Sequence, residues 1–288
     1  HPHAAAALAE KHHIPNIYDT YEAVIQDPRV EAVYIPLPNH LHFPWTLKAL
    51  EAGKHVLCEK PLALNETEAQ EMAAAAKSCN VLLMEALMYR FHPRSLQIQQ
   101  LVATGKIGRL RQIHSAFCFC MNEDQFMAPD NFRLDPHTGG GALWDVGCYS
   151  VSLARWIMGC EPSHVQGEAV FSSKGVDIQF NGILRFPDGR TATFEAGFVS
   201  ALQQTFKISG DTGIIELPHD AFIPWERDAR YTIRGVADES GKVHVVPGAD
   251  QYRLMVEHFG DAIHQSVCLP HSPQESVNNM RVLDALLL

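Results

Sequence analysis

Residues 32–61 read AVYIPLPNHLHFPWTLKALEAGKHVLCEKP, and they decide the fold. Ala32-Val33-Tyr34-Ile35 is a short apolar run flanked by polar residues and prolines, as expected of a strand buried on both faces of a parallel sheet. A helical segment over residues 45–53 follows, and His55-Val56-Leu57-Cys58 gives a second apolar run. Working outward, the same unit repeats as a helix over residues 66–78 and a strand over 81–84, while residues 4–13 and 21–25 read as helices upstream. Strand, helix, strand, helix, strand at this spacing is a doubly wound, Rossmann-like parallel α/β sheet.

Past Tyr89-Arg90-Phe91-His92-Pro93 the texture changes, starting with a helix over residues 94–104. Long alternating segments follow at 109–120, 165–172, 177–186, 191–199, 205–210 and 213–217, joined by turns such as Pro187-Asp188-Gly189 and Asp211-Thr212-Gly213. That pattern is a mostly antiparallel sheet, interrupted by a helix over 145–158 and followed by helices over 252–264 and 275–288. The expected division is an incomplete dinucleotide domain over residues 1–92 and an α+β substrate domain over 93–288. The apolar end Asp284-Ala285-Leu286-Leu287-Leu288 has no cap and reads as a truncation inside a helix.

Composition excludes several classes. A net charge of -10 without a run of Lys or Arg longer than two gives no footprint for a nucleic acid. No apolar stretch approaches the roughly 20 residues that cross a bilayer, and His1-Pro2-His3 with its alanines does not resemble a secretory signal, so the expected compartment is the cytosol. Most of the seven cysteines fall in apolar stretches and read as buried, reduced thiols; Cys118 and Cys120 alternate on one strand face. Sixteen histidines include no ligand spacing for a metal, and none is expected.

The chemistry-bearing residues cluster where ligands of such sheets sit, at the carboxyl ends of the strands. Glu59-Lys60-Pro61 follows the strand 55–58, and Pro36-Leu37-Pro38-Asn39-His40-Leu41-His42 follows the strand 32–35, presenting Asn39 and His42 at the same edge. Read alone, the first could be a surface ion pair and the second a capped turn. Gly139-Gly140-Gly141 precedes a helix on which Asp145 and Tyr149, four residues apart, share a face. A phenol there can exchange a proton with a substrate oxygen if a cation such as Lys60 lowers its pKa. Taken singly, Asp145 could equally cap the helix and Tyr149 pack in a core. The strand, glycine turn and helix that open a dinucleotide domain and hold its pyrophosphate do not precede these motifs.

Together, Ala49 to Pro61, Met84-Glu85-Ala86 with Arg90 and Pro93, and Gly139-Gly140-Gly141 with Asp145, Gly147 and Tyr149 resemble the glucose-fructose oxidoreductase, inositol dehydrogenase and rhizopine catabolism (Gfo/Idh/MocA) family over essentially the whole chain. The resemblance implies that the family's first βαβ portion should precede His1. It also implies hydride transfer between NADP or NAD and a CH–OH group of a sugar, cyclic polyol or vicinal diol. Tyr149, where inositol-type relatives carry His, looks like the branch of xylose and dihydrodiol dehydrogenases, which leans toward NADP. By that likeness Tyr149 is the acid or base, Lys60 tunes it and Asp145 supports it. Pro36, Leu37, Asn39, His42, Glu59, Lys60, Glu85, Arg90 and Arg133 are the expected cofactor contacts, and a homodimer or tetramer is the expected assembly. The family also contains non-catalytic cofactor-binding regulators, which tend to lose the Lys or the acid-base residue.

Overall fold

A computed structural model describes residues 2–128, 130–236, 238, 240–265 and 267–288, with the backbone alone for residues 2–4; His1 and the side chain of His3 lie outside it. The chain opens with α1 (Pro2–His12) and α2 (Tyr21–Gln26), then builds β1 (Ala32–Ile35), α3 (His42–Glu51), β2 (His55–Cys58), α4 (Glu66–Cys79) and β3 (Leu83–Glu85). The three strands are parallel in the order β1-β2-β3, with Ile35 beside Cys58 and Cys58 beside Glu85. That register brings the chain off all three strands at one edge, which is where the motifs stand. Asn65 starts α4 by accepting from the Glu68 amide, and Asn80 ends it in the left-handed conformation at φ 55.

One expectation fails here: β1 is not buried on both faces. Only Ile35 is buried, and Tyr34 is 46% exposed. Among the described residues β1 pairs with β2 alone, so its apolar run lies at a sheet edge.

The chain continues through α5 (Pro93–Ala103), β4 (Leu110–Cys120), the short α6 (Glu123–Met127) and α7 (Cys148–Met158). Then come β5 (His164–Phe171), β6 (Asp177–Arg185), β7 (Thr191–Gly197), β8 (Val199–Gly210), β9 (Gly213–Leu217), β10 (Ala229–Gly235), β11 (Lys242–Val246), α8 (Gln251–Gln265) and α9 (Pro273–Leu286). The strands form one sheet in the order β11-β10-β9-β8-β4-β7-β6-β5, antiparallel except for the pair β4 and β7. The expected strands do not include β10 and β11, although Ala229, Tyr231 and Ile233 alternate with Arg230, Thr232 and Arg234 along β10. On β7 the apolar row faces inward. Ala192, Phe194 and Ala196 are buried, the latter two lying against Gly147, and the outward row is Thr191, Thr193 and Glu195.

The last helix ties the two sheets together. α9 packs on α4, α7, β3 and β5. Its Arg281 pairs with Glu66, and Asp284 accepts from the Glu66 amide at the start of α4.

Candidate active site

β2 ends at Cys58 and hands the chain to Glu59-Lys60-Pro61, where the Lys60–Pro61 bond is cis. From this loop the Lys60 side chain crosses to the second domain. Its Nζ donates to the Asp145 main-chain carbonyl at 2.6 Å and to the Asp145 carboxylate at 3.1 Å. The receiving segment differs from the α-helix expected at Asp145: residues Leu143–Gly147 form a π-helical turn before α7 begins. Such turns widen the helix and recur at functional sites. Asp177 of β6 fixes its start by accepting from the Leu143 amide at 2.7 Å. Gly141 makes room for that bond at φ +120, because a Cβ there would stand 2.1 Å from the Asp177 carboxylate.

Asp145 carries a second cation, since Arg133 Nε donates to its other oxygen at 2.8 Å. Burial alone would raise the Asp145 pKa, but Lys60 and Arg133 outweigh it and hold the carboxyl below its usual range. Burial likewise works against the Lys60 ammonium, and Asp145, with Cys148 and Glu59, keeps its pKa above the ordinary lysine value. The pair is therefore ionised at neutral pH.

Tyr149 lies one turn further on, 4% exposed, with its ring among Tyr89, Phe117 and Phe222. Lys60 Nζ stands over that ring at 5.0 Å from its centre, and the hydroxyl donates to Met88 Sδ at 3.5 Å. Burial raises the phenol well above its ordinary pKa, so the lowering expected from a neighbouring cation is outweighed. Nothing in the sequence pointed to Phe222, which lies outside any periodic element, whereas Phe117 could have been read from the inward row of its strand.

The other expected ligand contacts divide into two groups. Asn39 stays at the cleft, its amide donating to the Gly139 carbonyl at 2.8 Å and joining the two domains a second time. Glu59 stays there too, accepting from the Tyr34 hydroxyl and the Lys60 amide. His42, Glu85 and Arg90 are buried behind it. Both His42 ring nitrogens face main-chain carbonyls, Glu85 accepts from the Leu62 amide, and Arg90 binds Ser152 and Glu275. A ring or carboxylate so occupied supports the loops and does not reach a ligand.

A nicotinamide is a flat ring that needs an apolar wall beside polar groups. A shallow hollow of about 160 Å³ beside the end of β1 offers such a wall in Val33, Ile35, Pro36, Leu37 and Trp45. The polar groups of the cleft, Lys60, Asp145 and Asn39, do not line this hollow; Pro36 and Leu37 are the apolar residues that lead from it toward Asn39. Among the described residues no cluster of three or more His, Cys, Asp or Glu could hold a metal, and no helix is long and apolar enough to cross a membrane.

Comparison with known proteins places this geometry. Residues 1–87 match the model of the oxidoreductase family with an NAD-binding Rossmann fold, and residues 95–216 match that of the GFO/IDH/MocA C-terminal domain. The chain is 35% identical to D-xylose 1-dehydrogenase (NADP(+)) 2 of Haloferax volcanii, over 98% of this chain and 85% of that protein. It is 33% identical to trans-1,2-dihydrobenzene-1,2-diol dehydrogenase of Xenopus tropicalis, over 76% of this chain and 65% of that one. The crystal structure of a 3-ketoreductase from Actinomadura kijaniata with NADP and TDP-benzene superposes with a TM-score of 0.90 at 27% identity, covering 100% of this chain and 86% of the other.

Proposed function

The chain belongs to the Gfo/Idh/MocA family of NAD-binding oxidoreductases, and from that premise we propose that it is an NADP-preferring reductase and dehydrogenase of a sugar or vicinal diol, with Lys60, Asp145 and Tyr149 as its catalytic group. The observation that carries this reading is the Lys60 ammonium, which spans from a strand end of one domain to Asp145 and the Tyr149 ring of the other. The xylose and dihydrodiol relatives support the substrate class, and the NADP named for two relatives supports the cofactor.

When bound, the nicotinamide supplies or accepts the hydride. The chain's own part is position and proton. Asp145 keeps Lys60 charged, and Lys60 attracts the reacting oxygen of the substrate and polarises it. Tyr149, protonated at neutral pH, gives its hydroxyl proton to that oxygen when the carbonyl is reduced. A phenol held above its usual pKa stays protonated near neutrality, so it is present in the form that donates, and as a weak acid it gives up the proton only as the substrate oxygen gains charge from the arriving hydride. Pro36 and Leu37 would wall the nicotinamide.

The test is an activity screen of aldoses and vicinal diols with NADPH and NADH, and with their oxidised forms, on the protein and its Tyr149→Phe variant. Turnover should fall by about two to four orders of magnitude in the variant. Equal rates for the two proteins would remove Tyr149 from the reaction.

We also infer a cytosolic homo-oligomer. Seven unpaired cysteines suit a reducing compartment, and the outer sheet face around His114, Ile183 and Thr193 is open. Sedimentation velocity at micromolar concentration should give a dimer or tetramer, and a single monomer boundary would refute it.

A further inference from the structure

His42 begins α3 and is fully buried. Its Nδ1 stands 2.8 Å from the Pro61 carbonyl oxygen and its Nε2 2.7 Å from the Leu37 carbonyl oxygen. A carbonyl oxygen accepts hydrogen bonds and donates none, whereas a neutral imidazole has one N–H and one bare lone pair. A neutral ring would satisfy one carbonyl and set its lone pair against the other oxygen, at a separation that belongs to a hydrogen bond. With a proton on each nitrogen, both contacts become donor to acceptor.

We propose that His42 is held as an imidazolium and that, in this form, it is a positioning residue for Lys60, clamping the Pro61 carbonyl of the Lys60 loop to the Leu37 carbonyl of the neighbouring loop. The inference deepens the reading of Lys60 given above and rests on it. The two carbonyls belong to the loops that leave β2 and β1, and each loop makes one of the two side-chain links to residues 139–145: Lys60 to Asp145 and Asn39 to Gly139. One ring thus sets the separation of both.

Opposing influences act on the ring. Burial, with Lys60 adding to it, outweighs the raising influence of the two carbonyl bonds and the Glu59 carboxylate and pulls the pKa below the usual histidine value, so the charged ring stands on the donor and acceptor geometry against that pull. The amino end of α3 also disfavours a cation. Among the elements packed on α3, the ionisable groups are His40 in the 39–41 turn, Tyr34 on β1, His55 and Cys58 on β2, and the charged residues of α4. Of the last, Glu66 is paired with Arg281 and Glu68 accepts from the Leu64 amide. Removing the proton would set a bare ring nitrogen against a carbonyl oxygen at hydrogen-bond distance, and that geometry decides for the charged ring.

The state of the ring can be read without any activity. In ¹⁵N-histidine-labelled protein, with His42 assigned by through-bond correlation to its backbone, both ring nitrogens should show protonated shifts at about pH 7.5, where a free histidine is neutral. One protonated and one bare nitrogen at that pH overturns the proposal. For the positioning role, His42→Gln should lower kcat about tenfold while KM for NADPH changes by less than about twofold. It should also abolish a descending alkaline limb in the wild-type kcat profile. A folded His42→Gln protein with unchanged kcat, or a wild-type profile without that limb, overturns the positioning role. If no substrate is turned over at all, the functional reading fails while the nitrogen shifts still decide the ring.

Discussion

Asp145 stands at the front of the cleft, between Lys60 Nζ at 3.1 Å and Arg133 Nε at 2.8 Å. Glu85 stands behind the same loop, at the end of β3, where one oxygen accepts from the Leu62 amide and the other has no hydrogen-bond partner. Both carboxyls are withdrawn from water, yet burial is overridden at Asp145 and prevails at Glu85, whose pKa it pushes up to about 6. The difference is geometric. Two cations at bonding distance outweigh desolvation, whereas Arg90, committed to Glu275 and Ser152, only moderates it. A charge is thus kept where the proposed reaction needs one and disfavoured where only support is needed.

The comparison breaks first at its front half. Asp145→Asn leaves Lys60 without its counter-charge and should cost turnover about 10- to 100-fold, together with about 2–3 kcal/mol of stability. That stability cost is set below the value for full burial because the Lys60 and Asp145 side chains keep 14% and 15% of their exposure. The two effects separate in a double-variant cycle with Lys60→Met, followed by urea unfolding. Removing both charges should restore part of the stability lost in either single variant, and strictly additive losses would show that the pair is not coupled.

How legible this was in the sequence follows the same division. The parallel strands were readable because buried apolar runs punctuated by proline have few alternatives, and β2 fell on the expected residues 55–58. Lys60 and Asp145 each stood out, at a strand end and a glycine-led helix start, but the residues alone left a surface ion pair and a helix cap open, and only the resemblance put them in one site. What the sequence hid was the orientation of polar side chains. Whether the imidazole of His42 or the carboxylate of Glu85 turns into the cleft or behind it depends on which main-chain groups lie nearby, and Pro61 and Leu62 meet them only through tertiary packing. β10 and the edge strand β11 escaped for another reason: they are short and only partly buried, so their few apolar residues make a weak pattern.

The back half gives a smaller effect, and its sign follows from linkage. Glu85 binds a proton more tightly in the folded protein, with a pKa of about 6 against an ordinary 4.5, so between these values the native state holds more protons than the unfolded chain. Its ionisation therefore costs stability, by up to about 2 kcal/mol once the pH is above 6, and the cost disappears as the pH falls through 6 toward 4.5. Asp145 runs the other way, contributing stability above its unfolded value and losing it only in stronger acid. Glu85→Gln keeps an oxygen for the Leu62 amide without a charge to desolvate. Urea unfolding of the two proteins between about pH 5 and 8 should show the variant gaining on the wild type as pH rises, with the curves meeting near the acid end. A variant destabilised equally at both ends would mean that Glu85 is held as a carboxylate after all, and the contrast between front and back of the cleft would be lost.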